Sequence, residues 1–133
     1  MSVVKDIGDI LDGVTGTLGV DLFLSQMPEE PDMAVALYET GGGGYDVLTE
    51  LHTAGLSVRS RANDYETAYA LISDVAGELS SIGDELTGLN VDKTVNGTTY
   101  LRIKPESEPY PVGRDSRERV EFAQSFSLTF FTD

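Results

Sequence analysis

The stretch MAVALYET, Met33 to Thr40, is almost continuously apolar and bounded by turn residues on both sides. Such a run suits a strand covered on both faces, expected at the centre of a sheet. GLSVRSRA (55–62) alternates instead, with Leu56, Val58 and Ala62 on one face and Ser57, Arg59 and Arg61 on the other. TYLRIKP (99–105) reads as another half-cationic strand, with Leu101 and Ile103 opposite Tyr100, Arg102 and Lys104. The closing VEFAQSFSLTFF (120–131) sets Val120, Phe122, Phe126, Leu128 and Phe130 against Glu121, Ala123, Ser125, Ser127 and Thr129. Both patterns have the two-residue period of half-buried strands.

Two segments have helical period. Val3, Ile7, Ile10, Leu11, Val14 and Leu18 predict an amphipathic helix over about residues 2–17, capped by Ser2 and weakened by Gly8, Gly13 and Gly16. VDLFLS is then expected to be a short extended run leading to the turn MPEEPD, whose two prolines break regular structure. The second helix begins where Asn63 caps and Glu66 stands three residues on. Tyr65, Ala68, Tyr69, Ile72, Val75, Ala76, Leu79, Ile82 and Leu86 form its stripe, and Gly83 or Gly88 ends it. NVDKTVNGT is a turn, and ESEPYPVGRDSRER a loop. The order helix, strand, strand, helix, strand, strand predicts an α+β fold. Its expected form is a mostly antiparallel four-stranded sheet with both amphipathic helices on one face, in a single domain spanning 1–133.

Charge narrows the functional classes. With 23 acidic against 9 basic residues the chain carries −14, which disfavours nonspecific attraction to nucleic acid or anionic membrane. Only three of the cations are lysines, in mild agreement with a salt-rich environment. No apolar stretch approaches the roughly 20 residues needed to span a bilayer, and the first residues lack a cleavable leader pattern, so the protein is expected to be neither secreted nor membrane-inserted. Without cysteine there is no disulfide, thiolate nucleophile or zinc–thiolate site.

Four glycines, Gly41 to Gly44, follow the central strand where nucleotide-binding proteins place a phosphate loop. A Walker-type loop needs a lysine and a hydroxyl directly after the glycines, and the chain continues YDVLTELH. Glu39 and Asp46 would repel a phosphate, so the glycines are expected to form a mobile connection after the strand. His52 is the only histidine and lies in no recognisable catalytic or metal-binding pattern. The acids Glu29, Glu30 and Asp32, or Glu106 and Glu108, lack the spacing of a calcium loop. No cofactor, metal or catalytic residue is expected.

The arginines are concentrated: Arg59, Arg61, Arg102, Arg114, Arg117 and Arg119 hold six of the nine cations within strands and one loop. They either join unlike faces of identical subunits or neutralise carboxylates of their own chain.

Taken as a unit, MPEEPDMAVALYETGGGG resembles the P-x-x-P-D-x-x-[IV]-A-L-[YF]-E-T-G-G signature of the minor capsid, or tail terminator, proteins of long-tailed, siphovirus-type phages. Pro28, Pro31, Asp32, Ala36, Leu37, Tyr38, Glu39, Thr40, Gly41 and Gly42 carry the match. The likeness continues through LSVRSRANDYETAYALISDV and PYPVGRDSRERVEFAQSFSLTFF, with departures in the longer glycine run and at Val112 and Gln124. The resemblance implies a structural virion protein at the head-to-tail joint, assembled in the host cytoplasm. It implies a homo-hexameric ring that caps the tail tube protein, docks the head-completion (neck) protein and lets genomic DNA pass without specific binding. On that footing the six arginines are subunit-interface candidates, and Gly41, Gly42, Gly43, Gly44 and Tyr45 form a loop contacting the tail tube or a neighbour. The acidic balance then predicts few cations in the lumen; a channel lined by Arg59, Arg61, Arg102 and Lys104 would mean DNA guidance instead. The rival from another class is an acidic DNA-mimic or inhibitor, which needs its carboxylates in a phosphate-like row rather than scattered. A small enzyme ranks third, for want of a convergent nucleophile, base and oxyanion donor.

Overall fold

The computed structural model describes residues 2–82 and 92–132. In chain order the elements are α1 (Val3–Leu11), β1 (Leu22–Leu24), β2 (Ala34–Asp46), β3 (Leu51–Ala62), α2 (Tyr65–Ser80), β4 (Lys93–Val95), β5 (Thr98–Pro105), β6 (Tyr110–Arg114) and β7 (Val120–Thr132). The strands form one seven-stranded sheet in the order β1-β2-β3-β7-β5-β4, with β6 also paired to β7. Pairing is antiparallel except where β1 runs parallel to β2, so the sheet is mixed. The four-stranded sheet expected from the sequence is therefore wrong. Three short strands, β1, β4 and β6, extend a frame of four long ones.

Each helix stops for a local reason. In α1, Ser2 caps by accepting from the Lys5 N–H at 3.3 Å. The helix ends at Leu11 rather than near residue 17, because Asp12 turns extended and Gly13 takes the left-handed conformation at φ 78°. Val14, assigned to the helical stripe, is exposed beyond that turn. The N-cap of α2 is Asp64, one residue later than expected, accepting from Thr67 N–H at 2.8 Å. Leu86, Gly83 and Gly88, named for the far end of this helix, lie outside the described residues.

Alternation along the strands puts Val35, Leu37, Leu56, Val58, Phe126, Leu128 and Phe130 in one core cluster with Val4, Ile7 and Leu11 of α1 and Ala68, Ile72, Val75 and Leu79 of α2. Both helices thus cover one face. Ser60 is the polar member of this face, and its hydroxyl donates to the Ala68 carbonyl of α2 at 2.7 Å. Tyr65 and Tyr69 stand at the rim of α2, each meeting Phe122 edge-on.

The face assignment in β5 needs correcting. A register shift between Tyr100 and Arg102 makes Leu101 the extra residue of a bulge, so Tyr100 joins Ile103 in the core while Arg102 and Lys104 stay outside. There the Tyr100 hydroxyl donates to Asp6 Oδ2 at 2.6 Å, and Asn96 Nδ2 donates to Asp6 Oδ1 at 3.0 Å and Asp9 Oδ2 at 2.8 Å. These bonds tie α1 to the β4–β5 hairpin. Burial, and after it the hydrogen bond to the Asp6 carboxylate, push the Tyr100 phenol far above the ordinary tyrosine range. Tyr100→Phe is expected to cost about 2 kcal/mol, the worth of a hydrogen bond to a charged group, because it strips a donor from buried Asp6. Urea unfolding of the two proteins checks this; a loss below about 0.5 kcal/mol would show that Asn96 alone satisfies the carboxylate.

Candidate assembly surfaces

No group of three or more His, Cys, Asp or Glu among the described residues is placed to hold a metal ion. None of their helices is long and apolar enough to cross a membrane. His52 lies between aromatic rings, 4.5 Å from Tyr45 and stacked 5.3 Å from Phe130 (centroid distances). What the chain displays is a set of surfaces, most clearly read from the six arginines.

Three of the six are turned inward on their own chain. Arg61 and Arg119 are almost wholly buried, and together they grip the backbone of residues 29–32, which contains a cis Glu30–Pro31 peptide bond. Arg61 donates from Nη2 to the Pro31 carbonyl and from Nε to that of Asp32 at 3.4 Å. Arg119 donates from Nη1 to the Glu29 carbonyl and to Asp32 Oδ1 at 3.2 Å, and from Nε to Asp115 Oδ2 at 2.7 Å. Arg117 reaches Glu30 and Glu29 from the solvent side. Asp115 in turn accepts from the N–H groups of Arg117 and Arg119, both at 2.9 Å.

The electrostatics follow from this packing. Burial, and after it the neighbouring Arg119 cation, pull the Arg61 pKa below the ordinary arginine value. The hydrogen bond to Glu30, with the Glu29 charge behind it, raises that of Arg117. For Asp115 burial works upward, but the hydrogen bonds from Arg119 and Arg117 outweigh it and hold the carboxyl below its ordinary range. Asp32 and Asp115, which stand far apart in sequence, meet through one guanidinium.

The other three are differently placed. Arg114 is exposed on β6, with Nη1 donating to the Glu118 carbonyl at 2.8 Å. Arg59 lies over the Tyr38 ring, 5.9 Å from its centroid. Arg102 is exposed on β5, with no ion pair among the described residues.

The glycines do not form a loop. β2 runs through Gly41, Gly42, Gly43 and Gly44 to Asp46, still paired with β3. Between the pairs Thr40 with Gly55 and Gly44 with Thr53, three residues of β2 stand opposite Ala54 alone. The run is therefore a bulge inside a hairpin, a place where backbone without side chains is useful. The turn itself comes later, at 47–50, with Glu50 left-handed at φ 59°. Its tip is apolar and unpacked: Val47 is 76% and Leu48 95% exposed, with half-exposed Tyr45 beside them.

Comparison with protein families finds one described as bacteriophage tail terminator protein, matching residues 7–130. The chain belongs to the bacteriophage tail terminator family. Among solved structures, a chain of the "Virion of native gene transfer agent (GTA) particle" has a similar fold, with a TM-score of 0.69 at 13% identity, over 97% of this chain and 94% of that one. Comparison with curated proteins finds no match. As a tail terminator family member the chain is a structural protein of the virion, at the tail end or head-to-tail joint. Within this terminator fold, the match includes both ends of the arginine clamp: the 29–32 segment and the GRDSRER stretch that holds it.

Two features escaped the sequence reading. The β4–β5 hairpin was read as a plain turn, although Asn96-Gly97, both left-handed at φ 51° and 79°, is the strongest short hairpin signal, with Thr94 and Val95 before it and Thr98 and Thr99 after it. Strand β6 was read as loop because Pro111 and Gly113 break the pattern of a strand; its partner β7 supplies the pairing that local sequence cannot show.

Proposed function

We propose that six copies of this chain form a ring that caps the tail tube protein, docks the head-completion (neck) protein and lets genomic DNA pass through its centre. Membership of the tail terminator family is the observation that carries this reading. The surface supports it. Apolar side chains stand unpacked at the hairpin tip and on β6, where Tyr110 and Val112 are nearly half exposed beside Arg114. Tyrosine and arginine around an apolar side chain are the residue types that anchor protein interfaces. Arg114 is the subunit contact on this view, while Tyr45, Val47 and Leu48 at the hairpin tip meet the tail tube or a neighbouring subunit.

Immunogold labelling of virions tests the location, since label anywhere but the head-to-tail joint would overturn it. Sedimentation tests the ring: Arg114→Glu is expected to shift hexamers toward monomer by at least tenfold in association constant, the effect of about 1.4 kcal/mol. An unchanged hexamer with this variant would remove β6 from the interface. Arg61, Arg117 and Arg119 are poor choices for the same test, because reversing their charge also breaks the clamp.

A further inference from the structure

Arg59, Arg102 and Lys104 share the face of the sheet that no helix covers. Register places them there: Arg59 opposite Ala36 and Ala123, Arg102 opposite Thr129, and Lys104 opposite Ser127. Between them the same face carries Ser57 paired with Ser125, Thr53 paired with Thr129, and Ser127. At the usual strand spacing and rise, Arg59 and Lys104 stand roughly 16 Å apart; serine hydroxyls fill the interval together with Glu106, which follows Lys104 in alternation and donates its N–H to the Ser125 carbonyl. The nearest acid along β7, Glu121, is paired with Arg61 and so lies toward the clamp.

This is an unusual surface for a chain of net charge −14. A third of its nine cations gather here. The centre of the face carries few anchors of the kind that the core of a protein interface needs; its aromatics are Tyr38, beneath Arg59, and Tyr110, paired with Ala123 in the same row. The most exposed apolar side chains, Val47 and Leu48, lie elsewhere, at the hairpin tip. Toward Arg102 and Lys104, cations set among serine and threonine hydroxyls match a polyanion's phosphates better than the apolar core of a folded partner.

We infer that this uncovered sheet face is turned toward the phosphates of DNA. The inference rests on the ring reading above and assigns its lumen to particular residues. It departs from the expectation of a lumen with few cations: Arg61 is committed to the clamp, but Arg59, Arg102 and Lys104 are all on the open face. Such contact positions a duplex without reading bases, because contacts to phosphates carry no sequence information. Widely spaced cations hold phosphates loosely, and hydroxyls exchange their hydrogen bonds with water at little cost, so the duplex can slide.

The test is photocross-linking in assembled, DNA-filled particles that carry p-benzoylphenylalanine at one position of the full chain. Position 104 is exposed and position 57 is half-buried at the middle of the face, while position 48 at the hairpin tip serves as control. Cross-links to DNA from 104 and 57, and only to protein from 48, are expected. Cross-links from 104 and 57 to protein alone, whether a second copy or another chain, would make the face a protein interface and overturn the inference. No cross-link from 104, in particles shown by immunoblot to contain the variant chain, would overturn it as well. Particles with intact head-to-tail joints that lack the chain would instead refute the terminator role, and the inference with it.

Discussion

Replacing Arg119 with alanine is expected to lower the unfolding free energy by about 3 kcal/mol, the usual consequence of removing one partner from a buried ion pair. The side chain is only 5% exposed, and its donors satisfy Asp115, Asp32 and the Glu29 carbonyl at once. Its loss leaves the 29–32 segment held by Arg61 from one side and by a solvated Arg117 from the other. Arg119→Lys should recover only part of the loss, since an ammonium cannot reproduce two arms of a guanidinium fork. In urea the midpoint should fall by more than about 1 M, given slopes near 1–3 kcal/mol/M for small proteins. A shift under about 0.3 M would mean that the clamp is incidental.

The same variant should change the response to acid. Asp115 binds a proton less readily folded than unfolded, so it adds stability above the ordinary aspartate range, near pH 4, and that stability disappears as pH falls through its depressed value. Without Arg119 two of the hydrogen-bond sources remain as backbone N–H groups, so the acid-dependent part should shrink without vanishing.

Phe126→Ala is expected to cost about 4 kcal/mol, in the range for emptying an aromatic site in a packed core. Phe126 is 2% exposed in the middle of β7, where Leu56 of β3 and Pro105 of β5 pair with it on either side. A rigid sheet on both flanks limits how far the cavity can collapse, which places the loss near the upper end. Against a total of about 5–15 kcal/mol for a typical domain, much of the folded population would be at risk at 37 °C. Calorimetry and urea titration measure it; a loss below about 2 kcal/mol would indicate that α2 settles into the vacated space.

The long elements were readable because side-chain period reports burial directly. β3 and β7 alternate as VRSRA and FSLTFF require, and α2 buries Ala68, Ile72, Val75 and Leu79 at helical spacing. Strands β4 and β6 were hidden because three or five residues hold no period; they are strands only because β5 and β7 lie beside them, whereas β1 falls within VDLFLS, the run expected to be extended. The Leu101 bulge hid for a similar reason. A one-residue slip exchanges faces, and nothing local distinguishes Tyr100 inward from Leu101 inward until Asp6, ninety-four positions away, supplies a partner for the hydroxyl. At the surface, the arginines were legible as a group but not in their division between clamp and open face. That division is set by the fold of 29–32 over the end of the sheet, a long-range contact with no sequence spacing of its own.

The bulge at Gly41 to Gly43, the brevity of β1 and β4, and Pro111 in β6 have one consequence in common. Each interrupts a row of backbone donors and acceptors that an identical chain would otherwise extend. With few residues left in line for a foreign strand, the sheet margins leave contacts between copies to side chains. Those are the contacts that geometry and salt can control.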